Sequence, residues 1–215
     1  MKEKFLENQI GYSGKVQSLW GVPVMYFENA FSVKPAELEI IKNLEFDNSD
    51  DQNNLVKTSK KKQLFKETIG LADVRDQMNH YACKFIDEII CVDNEFEMTN
   101  SWTARTNKEH PRHDHKNTIV SVVYYVKADN ATITFYNQHN WLSKAFNFDL
   151  SYKQFNVHNS TNLDYNVKTG DIMVFPGYVS HSATNHSDTT KTIIGANYFI
   201  RGYVGNDYNT TSLSI

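Results

Sequence analysis

Three of the chain's eight histidines fall within six residues, His110-Pro111-Arg112-His113-Asp114-His115. On an extended backbone, side chains two residues apart share a face, so His113 and His115 can converge on one point while Asp114 turns away. A third imidazole closes the segment GDIMVFPGYVSH, in which the Gly170-Asp171 turn feeds an apolar strand that stops at Pro176-Gly177 and delivers His181. Three such ligands with open positions suit Fe(II), Zn or Ni, and the oxygen chemistry of Fe(II) commonly uses two His and one carboxylate. A lone His-x-His is more often a pair of surface or loop histidines, so the pair by itself carries little. Ten residues beyond His181 stands Lys191, which opens KTIIGANYFI. Alternation places Lys191, Ile193, Gly195, Asn197 and Phe199 on one face, and a lysine on an apolar inward face needs an anion such as a bound dicarboxylate. The other reading puts Lys191 at the strand mouth, snorkelling into water.

The elements that must hold these residues change character near residue 100. Before it, two helical patterns stand out. One opens with Pro35 at a first-turn position and carries Leu38, Ile41 and Leu44 on one face; the other repeats Leu71, Val74, Met78, Ala82, Phe85 and Ile89 at steps of three and four. Residues 47 to 65 between them read as a polar, exposed connection, and Trp20 to Phe27 as extended because Pro23 excludes a helix interior. After residue 100 come short β-branched and aromatic runs at Thr118 to Val126, Ala131 to Tyr136, Asp171 to Phe175 and Lys191 to Ile200. The Asn- and aromatic-rich stretch from 138 to 165 reads as a long excursion, and long loops are often functional. The pattern predicts a mainly β fold with packing helices (α+β), the helices lying against an antiparallel barrel or jelly roll. The organisation expected is one domain over 1–215, with an N-terminal strand and supporting helices to residue 99, a β core over 100–202 and a tail from 203.

With 22 Lys and Arg against 25 Asp and Glu, the net charge is −3, which gives no footprint for nucleic acid. The basic run from Lys57 to Lys62 follows the acidic stretch Asp47 to Asp51 and reads as solvated loop. No apolar run reaches the roughly 18–20 residues of a membrane span, and no apolar segment follows the first lysines, so a cytoplasmic location is expected. Cys83 and Cys91 lack metal or disulfide spacing and read as reduced, core thiols.

Taken jointly, His113-x-His115, then IVSVVYYV, then GDIMVFPGYVSH, then a lysine at +10 opening IIGANYF resembles the Fe(II)/2-oxoglutarate-dependent oxygenase superfamily. It is most similar to a prolyl-hydroxylase-like branch of bacteria and their phages, of the form HxHxxxxxSxxYY followed by GDxxxFPxxxxH. Ser121, Tyr124 and Tyr125 fall in register, and the opening LWGVPV and Ser101-Trp102 extend the likeness over most of residues 18 to 202. The resemblance implies a double-stranded β-helix (jelly roll) with N-terminal helices, and Fe(II), 2-oxoglutarate and O2 as cofactor and co-substrates. It implies hydroxylation of an unactivated C–H in a peptidyl prolyl residue or a small molecule, with release of succinate and CO2. By position, His113, His115 and His181 would be metal ligands, Lys191 would hold the distal carboxylate of 2-oxoglutarate, and Tyr125 would hydrogen-bond the same carboxylate. Asn197 has inward parity toward that site.

His115 stands where most of the superfamily has Asp or Glu. Neutral imidazole there raises the net charge of the metal site by about one unit, and three-His sites occur among cupin dioxygenases that use no 2-oxoglutarate. A strand bulge would instead bring Asp114 or Glu109 to the metal. Two other functions therefore stay open, a three-His cupin-like dioxygenase and a non-catalytic metal-binding jelly-roll protein. Arg201 is a weaker candidate anchor, Trp141 could belong to a substrate lid, and a homo-oligomer remains open. His80, His139, His158 and His186 have no partner at metal-ligand spacing, and for His110, off the ligand parity, only a supporting role near the pair is open.

Overall fold

The computed structural model describes residues 21–48, 56–138, 150–205 and 213–214. Its larger sheet has the strand order β1-β9-β6-β11-β4-β3-β2. These are β1 (Met25–Phe27), β2 (Phe46–Asn48), β3 (Val56–Ser59), β4 (Glu95–Thr106), β6 (Val120–Lys127), β9 (Ile172–Pro176) and β11 (Lys191–Arg201). The smaller sheet runs β5-β10-β7-β8, with β5 (Glu109–His113), β7 (Ala131–Tyr136), β8 (Asn162–Val167) and β10 (His181–Asn185). Every ladder is antiparallel, so the C-terminal half is the expected jelly roll of two facing sheets. A short ribbon of β12 (Tyr203–Val204) and β13 (Leu213–Ser214) follows. No described helix is long and apolar enough to cross a membrane.

Both faces of the large sheet are covered, which explains why TIVSVVYYV is apolar without alternation. Val120, Val122 and Tyr124 point outward onto the helices, while Val123 and Tyr125 point between the sheets among Ile133, Phe135, Met173, Phe175 and Ile193. Residues 120–126 are all buried as a result. The outer layer is α1 (Pro35–Lys42), the single turn α2 (Leu64–Glu67) and α3 (Ala72–Phe85), which continues as a wider π turn over Ile86–Ile90. Val74, Met78, Ala82 and Phe85 form the buried stripe of α3, as their spacing requires. No side chain of the α3 cap residue satisfies its first turn; the buried Glu37 of α1 does so instead, accepting the Val74 N–H at 3.2 Å.

Several expectations are corrected. Residues 47 to 65 are not simply an exposed connection: Val56, Ser59 and Leu64 are buried, and β2, β3 and α2 extend the sheet and cover its edge. Periodicity was too short there to register. Cys83 and Cys91 are exposed rather than in the core. Cys83 lies one position off the buried stripe of α3, and Cys91 takes a left-handed backbone (φ 53°) that ends the π turn. Leu44 falls beyond the end of α1, and β4 is a twelve-residue strand of which the sequence signalled only Ser101-Trp102. Of the described part of the Trp20–Phe27 segment, Met25–Phe27 is strand, and Trp20, Trp141 and His139 lie outside the described residues.

Gly195 sits at the centre of β11, paired to Trp102 on one side and Val123 on the other. A Cβ there would lie 2.5 Å from the Trp102 ring, closer than any methyl can approach. The indole packs across the bare backbone and turns its edge to His115, with ring centroids 5.4 Å apart. Gly195→Ala is therefore expected to destabilise the protein by about 1–3 kcal/mol through overpacking. The check is calorimetry: a melting temperature lowered by roughly 2–4 °C for each kcal/mol, recovered when Trp102→Leu is added. An unchanged melting temperature would mean that the ring moves aside freely.

Candidate metal and co-substrate site

The three histidines named from sequence come together at one end of the barrel. One nitrogen from each of His113, His115 and His181 lies within 4.8 Å of the other two. The ring centroids are 5.3 Å apart for His113 and His115, 4.3 Å for His113 and His181, and 5.1 Å for His115 and His181. Neither Asp114 nor Glu109 joins this cluster; both are exposed, so no bulge brings a carboxylate in.

The backbone explains the convergence. β5 ends at His113, which pairs directly with His181 at the start of β10. His115 lies past the end of the strand rather than on it, a correction to the two-residues-on-one-strand reading. Its position comes from a hydrogen bond of its N–H to the Gly177 carbonyl at 2.9 Å, while the Gly177 N–H donates to Ile119 O at 3.0 Å. A Cβ on Gly177 would sit 2.7 Å from the Thr118 carbonyl oxygen, so only glycine allows the approach. The Pro-Gly turn thus ties the His115 segment to the strand that delivers His181. At the other end of β9, Asp171 accepts from the Tyr26 hydroxyl (2.6 Å) and from the N–H groups of Asn29 (2.9 Å) and Lys168 (2.8 Å), which fixes the Gly-Asp turn.

Each imidazole is oriented through Nδ1. His113 Nδ1–H donates to Pro111 O at 2.7 Å, and His181 Nδ1–H to Val179 O at 2.9 Å. His115 Nδ1–H is shared between Asn197 Oδ1 (2.8 Å) and Ser121 Oγ (2.7 Å), and Ser121 in turn donates to the same Asn197 oxygen at 2.9 Å. A carbonyl oxygen only accepts, so Nδ1 carries the proton and Nε2 keeps its lone pair. Desolvation keeps the rings neutral: it pushes the pKa of His115 down to about 4, that of His181 well below the usual histidine range, and that of His113 lower. Three neutral imidazoles with free Nε2 lone pairs are the donor set of a divalent-metal site, and an N–H held by a fixed oxygen is the usual support of a metal-binding histidine.

Lys191 is 3% exposed, and its Nζ is buried without a hydrogen-bond partner. Snorkelling is thereby excluded, and burial lowers the ammonium pKa to about 8. Tyr125 points between the sheets and is 1% exposed. The β6–β11 register shifts at Val126, one residue later, and so leaves the tyrosine facing inward. Asn197 also faces inward, with its Oδ1 engaged by His115 and Ser121. Arg201 is exposed and lies 3.7 Å from Glu97 at the far end of β11, away from the histidines. A buried cation lacking a counter-ion, in the same jelly roll as three converging lone-pair donors, fits a divalent ion together with a carboxylate-bearing ligand.

Sequence reasoning missed three contributions. Ser121 was seen only as part of a motif, although its spacing of six from His115 returns it to the same ring. His110 stacks on His113 at 4.4 Å, because the ladder between β5 and β10 slips between His113 and His110 and cancels the odd step. Phe135, its ring centroid 6.1 Å from that of His181, joins Phe175 (4.9 Å), which the resemblance had already suggested as lining, in the apolar wall that keeps the rings dry.

Residues 100–196 match the family described as "Putative 2OG-Fe(II) oxygenase". No curated protein matches the sequence. Among solved structures, HygX from Streptomyces hygroscopicus, with nickel and 2-oxoglutarate bound, superposes with a TM-score of 0.56 at 9% identity over 83% of each chain. A 2OG-Fe(II) oxygenase family oxidoreductase from Burkholderia pseudomallei gives 0.54 at 12% identity, over 82% of this chain and 84% of the other. SnoN, a non-heme alpha-ketoglutarate-dependent epimerase from nogalamycin biosynthesis, gives 0.54 at 8% identity, over 83% and 76%. At these identities the structural likeness is one of fold, the same jelly roll that the strand order describes. The match to that oxygenase family thus spans residues 100–196, the part of the chain that carries all three histidines and Lys191.

Proposed function

We propose that the protein is an Fe(II)- and 2-oxoglutarate-dependent dioxygenase that oxidises an unactivated C–H of a small molecule or peptidyl residue, releasing succinate and CO2. The observation that carries this reading is the pairing of three converging imidazoles with a buried ammonium that has no partner. His113, His115 and His181 would hold the iron through Nε2, and iron bound there supplies the redox chemistry that couples O2 to decarboxylation of the keto acid.

The rest of the work belongs to the protein's own side chains. Lys191 pairs with the distal carboxylate, and in a dry interior that charge-assisted contact is stronger than at a surface. Tyr125 offers its hydroxyl to the same carboxylate, protonated because burial holds its pKa far above the usual range. Val123, Ile193 and Phe175 keep water from the reacting centre. Asn197 and Ser121 fix the ring plane of His115. The outcome at the substrate is set by what sits in the mouth of the barrel: structural neighbours include an epimerase and a carbocyclase as well as an enzyme holding hygromycin B. Hydroxylation is the outcome proposed here.

The third imidazole favours one second reading, a three-His dioxygenase that oxidises its substrate without 2-oxoglutarate. Anaerobic titration of the Fe(II)-loaded protein separates the two. The oxygenase reading expects the weak visible charge-transfer band of a chelated keto acid and aerobic formation of succinate. Ala at His113, His115 or His181 is expected to lower metal affinity by at least about tenfold to a hundredfold. Iron bound with neither band nor succinate would favour the three-His dioxygenase, and no stoichiometric metal would leave a binding protein.

Lys191 yields a separate stability prediction. Its folded pKa of about 8 lies below the value of 10.5 expected unfolded, so the unfolded chain binds more protons between those limits. Stability of the metal-free protein should therefore rise as pH increases from about 8 to 10.5, with the full penalty present below 8. Lys191→Met removes that penalty, worth up to about 3 kcal/mol, and flattens the rise. The same variant should lose the melting-temperature increase that 2-oxoglutarate gives the metal-loaded wild type. Denaturant midpoints at pH 7, 8, 9 and 10 provide the measurement; a less stable Lys191→Met protein would show that the ammonium is already compensated.

A further inference from the structure

The donor set that the barrel offers a divalent ion carries no negative charge. His113, His115 and His181 are neutral, each N–H being held by an oxygen, and neither Asp114 nor Glu109 joins the cluster. Asp114 does act on His113 and His115, but it stands exposed, where solvent and salt weaken its field. The acids that are buried among the described residues, Glu37 and Asp171, are committed elsewhere. Glu37 caps α3 outside the large sheet, and Asp171 holds the turn that opens β9.

Lys191 adds to the imbalance. Its ammonium is buried on β11, the strand that also presents Asn197 to His115, and no carboxylate offsets it: burial alone acts on its charge. A divalent ion at the histidines therefore raises the charge of the interior to about +3, and charge taken out of water is unfavourable unless it is paired. A dianionic ligand returns it to about +1. In a set of two imidazoles and a carboxylate, the protein would supply one of those negative charges itself.

Resting on the oxygenase reading for the identity of the acid, we infer that this site takes up its divalent ion together with a carboxylate ligand rather than alone, so that metal loading follows the supply of 2-oxoglutarate. Chelation through the keto group would couple acid and metal in any site with adjacent open positions. What His115 adds is coupling through charge, and a dicarboxylate without the keto group shares it. By linkage, the factor by which the acid tightens metal binding is also the factor by which the metal tightens binding of the acid. A chain short of the acid thus holds its metal weakly, and His115 is the residue that makes it so.

The test is calorimetric titration of the full chain with Ni(II) in chloride-free buffer near neutral pH, with no acid, with glutarate and with 2-oxoglutarate, corrected for the metal each acid binds in solution. His181→Ala sets the background of adventitious binding. Glutarate should tighten Ni(II) binding by the wild type about fivefold or more, within the usual range of coupling between sites, and 2-oxoglutarate should tighten it further. His115→Glu, which puts a carboxylate in place of the ring, should bind Ni(II) alone more tightly than the wild type and respond to glutarate by less than about twofold. Lys191→Met keeps all three imidazoles and decides the matter should His115→Glu fail to fold: it should bind Ni(II) alone no more weakly than the wild type and lose most of the glutarate response. No response to glutarate in the wild type, a response of equal size in His115→Glu, or one that survives undiminished in Lys191→Met would overturn the inference. The keto acid separates this inference from the reading it rests on. Glutarate effective with 2-oxoglutarate inert upholds the coupling and removes the oxygenase; 2-oxoglutarate equally effective in wild type and His115→Glu, with glutarate inert, does the reverse.

Discussion

A neutral imidazole has one N–H and one lone pair, and giving the N–H to a fixed oxygen decides which nitrogen is left to bind. Here that choice is made three times. Pro111 O and Val179 O are backbone acceptors two residues upstream of the rings they hold, so His113 and His181 are oriented by their own local chain. His115 has no such acceptor, and its partner comes from across the barrel, Asn197 on β11 with Ser121 on β6 behind it. The site is therefore only as rigid as the β6–β11 pairing, and the Gly195–Trp102 contact in the middle of that ladder belongs to the same structure as the metal site.

Burial acts on the histidines and on the lysine with opposite consequences. Phe135, Phe175 and Trp102 strip water from the rings and lower their pKa values, which keeps the lone pairs available near neutral pH. The same dry interior disfavours the charge on Lys191, which nevertheless remains largely protonated there. A protein selected only for stability would place an aliphatic residue at 191, since an unpaired buried cation weakens the fold until an anion arrives. Retaining it is intelligible where binding of that anion is part of the activity.

The chemistry was more legible in the sequence than the scaffold. His113, His115, His181 and Lys191 could be named because period-two spacing and a strand that ends in Pro-Gly are local signals, and because their joint register resembles one superfamily. Strands β7 and β11 were recovered within a residue, as β-branched runs between turn residues. What stayed hidden depends on contacts distant in sequence. β5 and β10 are short and polar on one side, so no apolar alternation marks them, and β2 and β3 are recognisable only by their place at the edge of the sheet. His110 was set aside on parity, a rule that holds only while the ladder is regular; the slip between His113 and His110 breaks it. The cysteines were read as core thiols because they lack metal or disulfide spacing, whereas one helical position separates Cys83 from the buried stripe.

The exchange of a carboxylate for His115 changes the charge of the site and so the kind of molecule it favours. A divalent ion held by three neutral imidazoles keeps both positive charges, where two imidazoles and a carboxylate would leave one. In the proposed reading, a dianionic keto acid at the metal and at Lys191 brings that centre to a net charge of about +1. In that reading the third imidazole, which on ligand type alone counts against a 2-oxoglutarate enzyme, is matched by the two negative charges of the keto acid.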